Sequence, residues 1–230
     1  LADVRLVSLG VEVIEAGALR QDEALALEAP PDARIVDGAG MLCLPGMVNC
    51  HHHLYQTMTR AVPRVQNAEL FEWLVNLYEI WREVTPELAY ISALVGLGEL
   101  LLTGCTTTTD HLYLFPRAAD GRLIDAEIQA ARELGIRFHP TRGCMTRGRS
   151  KGGLPPDDVV QTEDEIVADC ERLVATWHDP APDAMVKIAL APCSPFSVRS
   201  GPAHRPRRCC WCGCWRSHWP CSAAGSRRPA

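Results

Sequence analysis

From Leu44 onward the apolar and polar positions alternate between a strand-like and a helix-like rhythm. Leu44-Pro45-Gly46-Met47-Val48 is an apolar lead-in that stops at Asn49-Cys50 and three consecutive histidines, His51-His52-His53. That pattern predicts a buried strand opening onto a polar site. Thr85-Pro86-Glu87 starts a helix, with proline where the first-turn amide needs no partner, and Gly104 ends it. The β-branched run Thr106 to Thr109 opens a strand toward Leu114-Phe115. A helix from about Asp125 stops at Gly135, and Ile136 to Thr141 is the next strand. Thr162 and Glu165 have capping-box spacing, which begins a helix reaching Trp177-His178, and Met185 to Ala191 follows as a strand. Four strands beginning near Met47, Thr106, Ile136 and Met185, separated by helices, predict an α/β fold. Its sheet should be parallel with right-handed crossovers.

Residues 1 to 46 have a different texture. Val4 to Leu9, Val11 to Ile14, Ile35-Val36 and Met41 to Leu44 read as short strands punctuated by Gly, Pro and Asp, a small β unit. At 230 residues and 47% hydrophobic, the chain can bury a core of its own. No run of eighteen apolar residues and no secretory leader is visible, so neither a membrane nor export is expected. The chain starts at Leu1 rather than a methionine, which suggests that an original N-terminus is missing.

A net charge of −5 argues against nucleic acid as a partner. The average conceals an asymmetry. Residues 1 to 198 hold all 28 acidic groups and stand at −12, whereas residues 199 to 230 hold seven arginines and no acid. That last segment has no Leu, Ile or Val, so it is expected to be disordered. Its Cys209 and Cys212 have CxxC spacing, but no second pair completes a structural zinc module. A slipped reading frame near Val198-Arg199 in a GC-rich gene explains the composition better. The six cysteines before it are scattered, as in a reducing cytoplasm.

Chemistry concentrates at the histidines. Strand alternation would put His51 and His53 on one side and His52 on the other, and two imidazoles on one side can grip one divalent metal. Gly148-Arg149-Ser150-Lys151-Gly152 satisfies the serine-hydrolase G-x-S-x-G, but the following Gly153-Leu154-Pro155-Pro156 cannot begin the helix that nucleophile requires. Pro192-Cys193-Ser194-Pro195-Phe196 lacks the second cysteine of the cytidine-deaminase pattern.

The junction Pro45-Gly46 through Asn49 to His51 and His53 resembles the amidohydrolase superfamily, in which such a run ends the first strand of a (β/α)8 barrel. His51 to Arg60, Leu70-Phe71-Glu72-Trp73-Leu74, Gly104 to His111, Gly152 to Asp157 and Ala191 to Ser197 resemble the branch containing 8-oxoguanine deaminase and the hydroxyatrazine aminohydrolases. The resemblance runs from about Arg34 to Val198. It implies a partial β-sandwich over 1–46 and the first half of a barrel over 47–198, since a whole barrel needs ~250 residues. Residues 199–230 fall outside it. It implies one divalent metal, zinc, with His51 and His53 as its first two ligands. It places Gln56 and Trp73 in the substrate pocket.

His111, Tyr113 and Arg142 follow strands two and three and are further candidates. Core packing competes for Tyr113, and a structural ion pair competes for Arg142. The family's later ligands and its acid/base glutamate and aspartate cannot be placed in this sequence, so no catalytic residue is assigned. The implied activity is hydrolytic deamination of an amino-substituted heterocycle, 8-oxoguanine to urate and ammonia, with a hydroxy-s-triazine as the other substrate. The resemblance also implies a cytoplasmic enzyme, homo-oligomeric at full length. This chain is expected to be catalytically incomplete, with unpaired edges on its first and fourth strands. The alternative to an enzyme is a non-catalytic fragment with a metal-binding or assembly role.

Overall fold

The structure, a computed structural model, describes residues 44–194 and 197–198. The chain divides between Met47 and Val48 into two units, and the architecture below is that of the second. The β unit expected over 1–46 lies outside the described residues except for 44–46, which are irregular. The expected disordered tail over 199–230 also lies outside them.

Four strands form one sheet in the order β1-β2-β3-β4: Met47–Asn49, Cys105–Leu112, Arg137–Arg142 and Ala189–Leu190. β2 and β3 run parallel with Thr107 opposite Arg137 and Leu112 opposite Arg142. β3 and β4 are parallel too, with Thr141 opposite Ala189. The strands are joined by helices α1 (Leu70–Trp81) and α2 (Pro86–Leu102), then α3 (Leu123–Leu134), then α4 (Glu163–Trp177). The α/β alternation expected from the sequence is therefore what the chain builds.

Local chemistry explains the helix limits. Thr85 caps α2 by accepting from Leu88 N at 3.2 Å, with Pro86 in the first turn. Gly135 ends α3 in the left-handed conformation, φ 72°, which suits a residue without Cβ. Thr162 Oγ1 accepts from Glu165 N, and Glu165 returns the favour to Thr162 N at 2.7 Å, a complete capping box for α4.

Four elements differ from the sequence expectation. β1, expected as a buried strand, leaves Met47 and Val48 exposed. Helix α1 lacks a capping signal, because Glu69 at its N-cap makes no side-chain bond. The strand expected over Met185 to Ala191 shrinks to Ala189–Leu190 plus one bridge, Val186 to Phe138. Among the described residues it pairs on one side only, so half its backbone groups gain nothing from an extended ladder. The strand expected to reach Phe115 ends at Leu112.

One main core lies between the sheet and the helices. Leu112, Leu114, Phe138 and Ile188 from the sheet side meet Leu97, Ile124, Ile128 and Leu173 from α2, α3 and α4. Along β2 the buried positions are Cys105, Thr108, Asp110 and Leu112, and the partly exposed ones are Thr107, Thr109 and His111. Alternation turns Thr108, Asp110 and Leu112 toward the helix layer. His111 faces the other way. Among the described residues no helix is long and apolar enough to cross a membrane.

Candidate metal centre

β1 ends at Asn49, so His51, His52 and His53 lie beyond the strand in irregular backbone, not on it as expected. The rings of His51 and His53 nevertheless meet edge to face, 4.9 Å between centroids. His52 is turned toward α2, where its Cε1 would stand 3.5 Å from a Cβ on Gly96. What brings the first and third rings together is thus a turn pinned to β2, not strand alternation.

The pins are specific. Asn49 Nδ2 donates to Thr108 Oγ1 at 3.1 Å, and His111 N donates to His52 O at 2.9 Å. His53 Nδ1 bonds His111 O at 2.7 Å. A carbonyl only accepts, so Nδ1 carries the proton and Nε2 keeps its lone pair. Burial depresses His53 to about 4 despite that bond, which keeps the ring neutral at pH 7. A neutral imidazole with its other nitrogen tied to a carbonyl is the state in which histidine binds a divalent cation.

Two imidazoles on one tetrahedral ion, each at about 2 Å, have ring centres roughly 5 Å apart. The spacing of His51 and His53 fits that requirement. Among the described residues, however, no group of three His, Cys, Asp or Glu side chains is placed to hold a metal. The fit is that of half a ligand set.

His111 reaches the same face: its ring lies 5.7 Å from His53 and 5.3 Å from Tyr113, and its Nε2 donates to Ala191 O at 3.2 Å. Burial lowers its pKa as well. Gly143 makes this possible, because a Cβ there would sit 2.7 Å from His111 Nε2 and 2.5 Å from Tyr113 Cβ. Tyr113 lies 5.5 Å from His53, and burial pushes its phenol up to about 12. Its hydroxyl bonds that of Tyr55, which also accepts from Gln56 Nε2 at 3.1 Å.

Gln56 thus sits on the 3-10 turn Leu54–Thr59 that follows His53, joined to two tyrosines beside the histidines. Trp73, on α1, is half-buried and packs edgewise on Trp81 at 5.2 Å. Trp81 in turn meets Tyr55 at 5.3 Å, so Trp73 stands two aromatic contacts from Tyr55.

Arg142 is not brought to this cluster. Its side chain is 0% exposed and turned toward the helix layer. It donates to Asp169 at 3.0 Å, Gln161 at 2.7 Å and Gly143 O at 2.5 Å, and stacks on Phe115 at 3.8 Å. Those partners are the ones a structural ion pair would have. Ser150 of the G-x-S-x-G stretch donates to Asp157 Oδ1 at 2.8 Å within a surface turn. Sequence reasoning missed Tyr55, Gly143 and Asp110, whose Oδ1 accepts from Leu54 N at 2.5 Å. Only their position next to candidate residues hinted at them.

The histidines gather past the carboxyl end of the first strand of a parallel β/α layer, the face on which enzymes of the barrel type carry their active sites. The chain belongs to the amidohydrolase family, whose model matches residues 42–200. It is 50% identical over 170 residues to the 8-oxoguanine deaminase of Pseudomonas aeruginosa, covering 74% of this chain and 38% of that protein. It is 38% identical over 163 residues to hydroxydechloroatrazine ethylaminohydrolase of Pseudomonas sp. strain ADP, covering 70% and 34%. The fold matches atrazine chlorohydrolase of Arthrobacter aurescens TC1 complexed with zinc, with a TM-score of 0.63, 39% identity, and 68% and 36% coverage. The chain therefore spans somewhat over a third of the length of these relatives.

Proposed function

We propose that this chain carries the opening half of the active site of a zinc-dependent hydrolytic deaminase. Its substrate is an amino-substituted heterocycle, 8-oxoguanine, converted to urate and ammonia. The observation that carries the reading is the facing pair His51 and His53, with the His53 tautomer set by the His111 carbonyl.

His51 and His53 would hold the cation through their free nitrogens. When bound, it supplies Lewis acidity and lowers the pKa of a water to roughly 7. The His111 carbonyl orients the His53 ring. Gln56 and the Tyr55–Tyr113 hydroxyl pair line the same side with polar groups suited to a purine edge, and Trp73 and Trp81 back them with apolar surface that excludes water. Proton transfer to the departing ammonia is left to groups outside those described. Arg142 takes no part in the binding, since its donors are spent within the helix layer.

A purine is favoured over a triazine by the 50% identity to the 8-oxoguanine deaminase against 38% to the triazine aminohydrolase. Hydroxy-s-triazine dealkylamination remains the second reading. The 230-residue chain alone is proposed to be inactive and to bind zinc weakly, because two imidazoles do not complete a catalytic zinc site. The test is a chimera in which residues 44–198 replace the matching part of the Pseudomonas aeruginosa enzyme. Urate formation from 8-oxoguanine that is abolished by His53→Asn supports the reading. A correctly folded chimera that turns over only the triazine, or neither compound, refutes it, and family-like turnover by the 230-residue chain refutes its inactivity.

A further inference from the structure

Two carboxyl groups lie buried on the helix side of the sheet, away from the ring of His111. Asp110 on β2 is 1% exposed, and Glu127 on α3 is 0% exposed. Alternation explains the placement: His111 faces the metal-centre side, so its neighbour Asp110 faces the helices. No salt bridge among the described residues involves either carboxyl. The two carboxyls lie within hydrogen-bonding reach of each other. Neither Asp110 Oδ2 nor either Glu127 oxygen receives an N–H or O–H from any other described residue.

Two carboxylates in contact in a low-dielectric layer do not both ionise. The Leu54 amide donates to Asp110 Oδ1 and favours its charged form, while no described group favours a charge on Glu127. Burial pushes both groups above the usual carboxyl range. One proton shared between them, held on Glu127, would give the otherwise unpartnered Asp110 Oδ2 its donor.

The Leu54 bond sits at a critical place. Leu54 is the first residue of the 3-10 turn Leu54–Thr59, and His53 stands at its N-cap with no side-chain cap bond. A serine or aspartate at that position would usually cap the turn. The His53 ring is committed to the carbonyl of His111 instead, and Asp110 reaches across from β2 to supply the cap. Residues 52 to 54 are thereby fastened to 110 and 111 by three bonds: His111 N to His52 O, His53 Nδ1 to His111 O, and Leu54 N to Asp110 Oδ1. Glu127 holds the third from behind.

We propose that Asp110 and Glu127 form a proton-sharing carboxyl pair that positions His53, clamping the histidine turn onto β2 from the helix layer. Both are positioning residues and touch no reacting atom. The consequence for zinc rests on the function proposed above; the proton sharing and the cap do not.

The experiment uses the 230-residue chain and three variants. Infrared difference spectra at neutral pH should show the carbonyl stretch of a protonated carboxyl, shifted in heavy water and absent in Glu127→Gln. That variant still donates to Asp110, so slow exchange of the Leu54 amide should survive in it. Asp110→Ala should speed that exchange at least tenfold, shift the His53 Nδ1 proton resonance, and weaken zinc binding on the order of tenfold, the size of effect typical of groups behind a metal ligand. Asp110→Asn, whose amide oxygen still accepts from Leu54, should restore most of all three. If Asp110→Ala does not fold, Glu127→Leu, which keeps the volume and removes the donor, should give the same loss of Leu54 protection.

A missing infrared band, or one that persists in Glu127→Gln, overturns the shared proton. Unchanged Leu54 exchange in both disrupting variants overturns the clamp. If the parent chain binds no zinc at all, the metal reading fails, while the infrared and exchange results still decide the carboxyl pair.

Discussion

His53 Nδ1 donates to the carbonyl oxygen of His111 at 2.7 Å, so the ring of one strand's end is oriented by the backbone of the next. His53 Nε2 is left with a free lone pair, and the His51 ring lies edge to face beside the His53 ring, 4.9 Å between ring centres. His53→Ala should therefore weaken zinc binding by more than tenfold, as loss of a ligand exceeds the 10–100-fold range typical of its supports at the lower end. His52→Asn should leave binding nearly unchanged, because His52 faces α2 near Arg60 and Glu99. Competition with a chromophoric chelator measures both, and equal losses would mean that the turn, not the pair, binds the ion.

Arg142 separates a structural role from a binding one. Its guanidinium is enclosed by Asp169, Gln161, the Gly143 carbonyl and the Phe115 ring. Removing one partner of such a buried pair strands the other charge and costs about 3–5 kcal/mol. Asp169→Ala should lower the urea midpoint accordingly and leave zinc affinity of the folded fraction unchanged. A variant of full stability with impaired ligand binding would return Arg142 to the site.

Much of this architecture was legible because its signals are local. The Thr162–Glu165 box, the Thr85-Pro86 start and the Gly135 stop each act through bonds within a few residues, and each stands where the sequence puts it. Helix α1 was not legible, since Glu69 gives no cap and its apolar residues meet partners distant in sequence. The last strand was over-read for a related reason. The Met185 to Ala191 run is apolar enough for a strand, but pairing depends on neighbours that a linear pattern does not contain.

The histidine site was legible as residue types but not as geometry. Period-two alternation put His51 and His53 together, yet the backbone leaves the strand at Asn49 and the rings converge through bonds to Asn49, His111 and Asp110. Those partners lie up to fifty-eight positions away, His53 to His111 being the longest of the three. No spacing rule reports such a contact. Arg142 shows the converse: a charged residue near a strand's end reads as a ligand for substrate until the opposing helix, with Asp169, is in place.

The reading frame is open to direct test. The family match runs over residues 42–200, no acidic residue follows Asp183, and the arginine-rich segment begins at Arg199. We expect the coding DNA, read in a shifted frame after the Val198 codon, to encode within a few dozen codons a His-x-His-Leu-x-Glu run, the later ligand and acid/base glutamate that the family resemblance implies. Sequencing the gene decides it, and the absence of that pattern in either alternative frame would make residues 199–230 genuine protein.

Acid should weaken α4 through its capping box. Thr162 N–H and the Thr162 side chain both bond Glu165, and these bonds hold the Glu165 carboxyl below the usual glutamate range. A carboxyl lowered on folding contributes stability that is present above its unfolded pKa and lost as pH falls through the folded value. The parent chain and Glu165→Gln should therefore differ in urea stability at pH 7 and converge below pH about 4, the ordinary glutamate range. Thr162→Ala should cost about 1 kcal/mol at pH 7. A difference that persists unchanged into acid would mean that the glutamate acts through packing rather than charge.

Gly143 sets the approach of His111 to the carboxyl end of β3. An added Cβ would lie 2.5 Å from Tyr113 Cβ, 2.7 Å from His111 Nε2 and 2.8 Å from Tyr113 Cα. Two of these neighbours belong to Tyr113's own Cα and Cβ, which cannot rotate away as a side-chain tip could. Backbone must shift, and overpacking of this kind costs about 1–3 kcal/mol. The displacement falls on β2 just past Leu112, where His111 Nε2 reaches Ala191 O and His111 O receives His53 Nδ1. Gly143→Ala should thus lower the melting temperature and also shift the His53 Nδ1 proton resonance, whereas Gly98→Ala, with open space around its Cβ, should do neither. Loss of stability in Gly143→Ala without any change at His53 would show that β3 and the histidine turn are not mechanically joined.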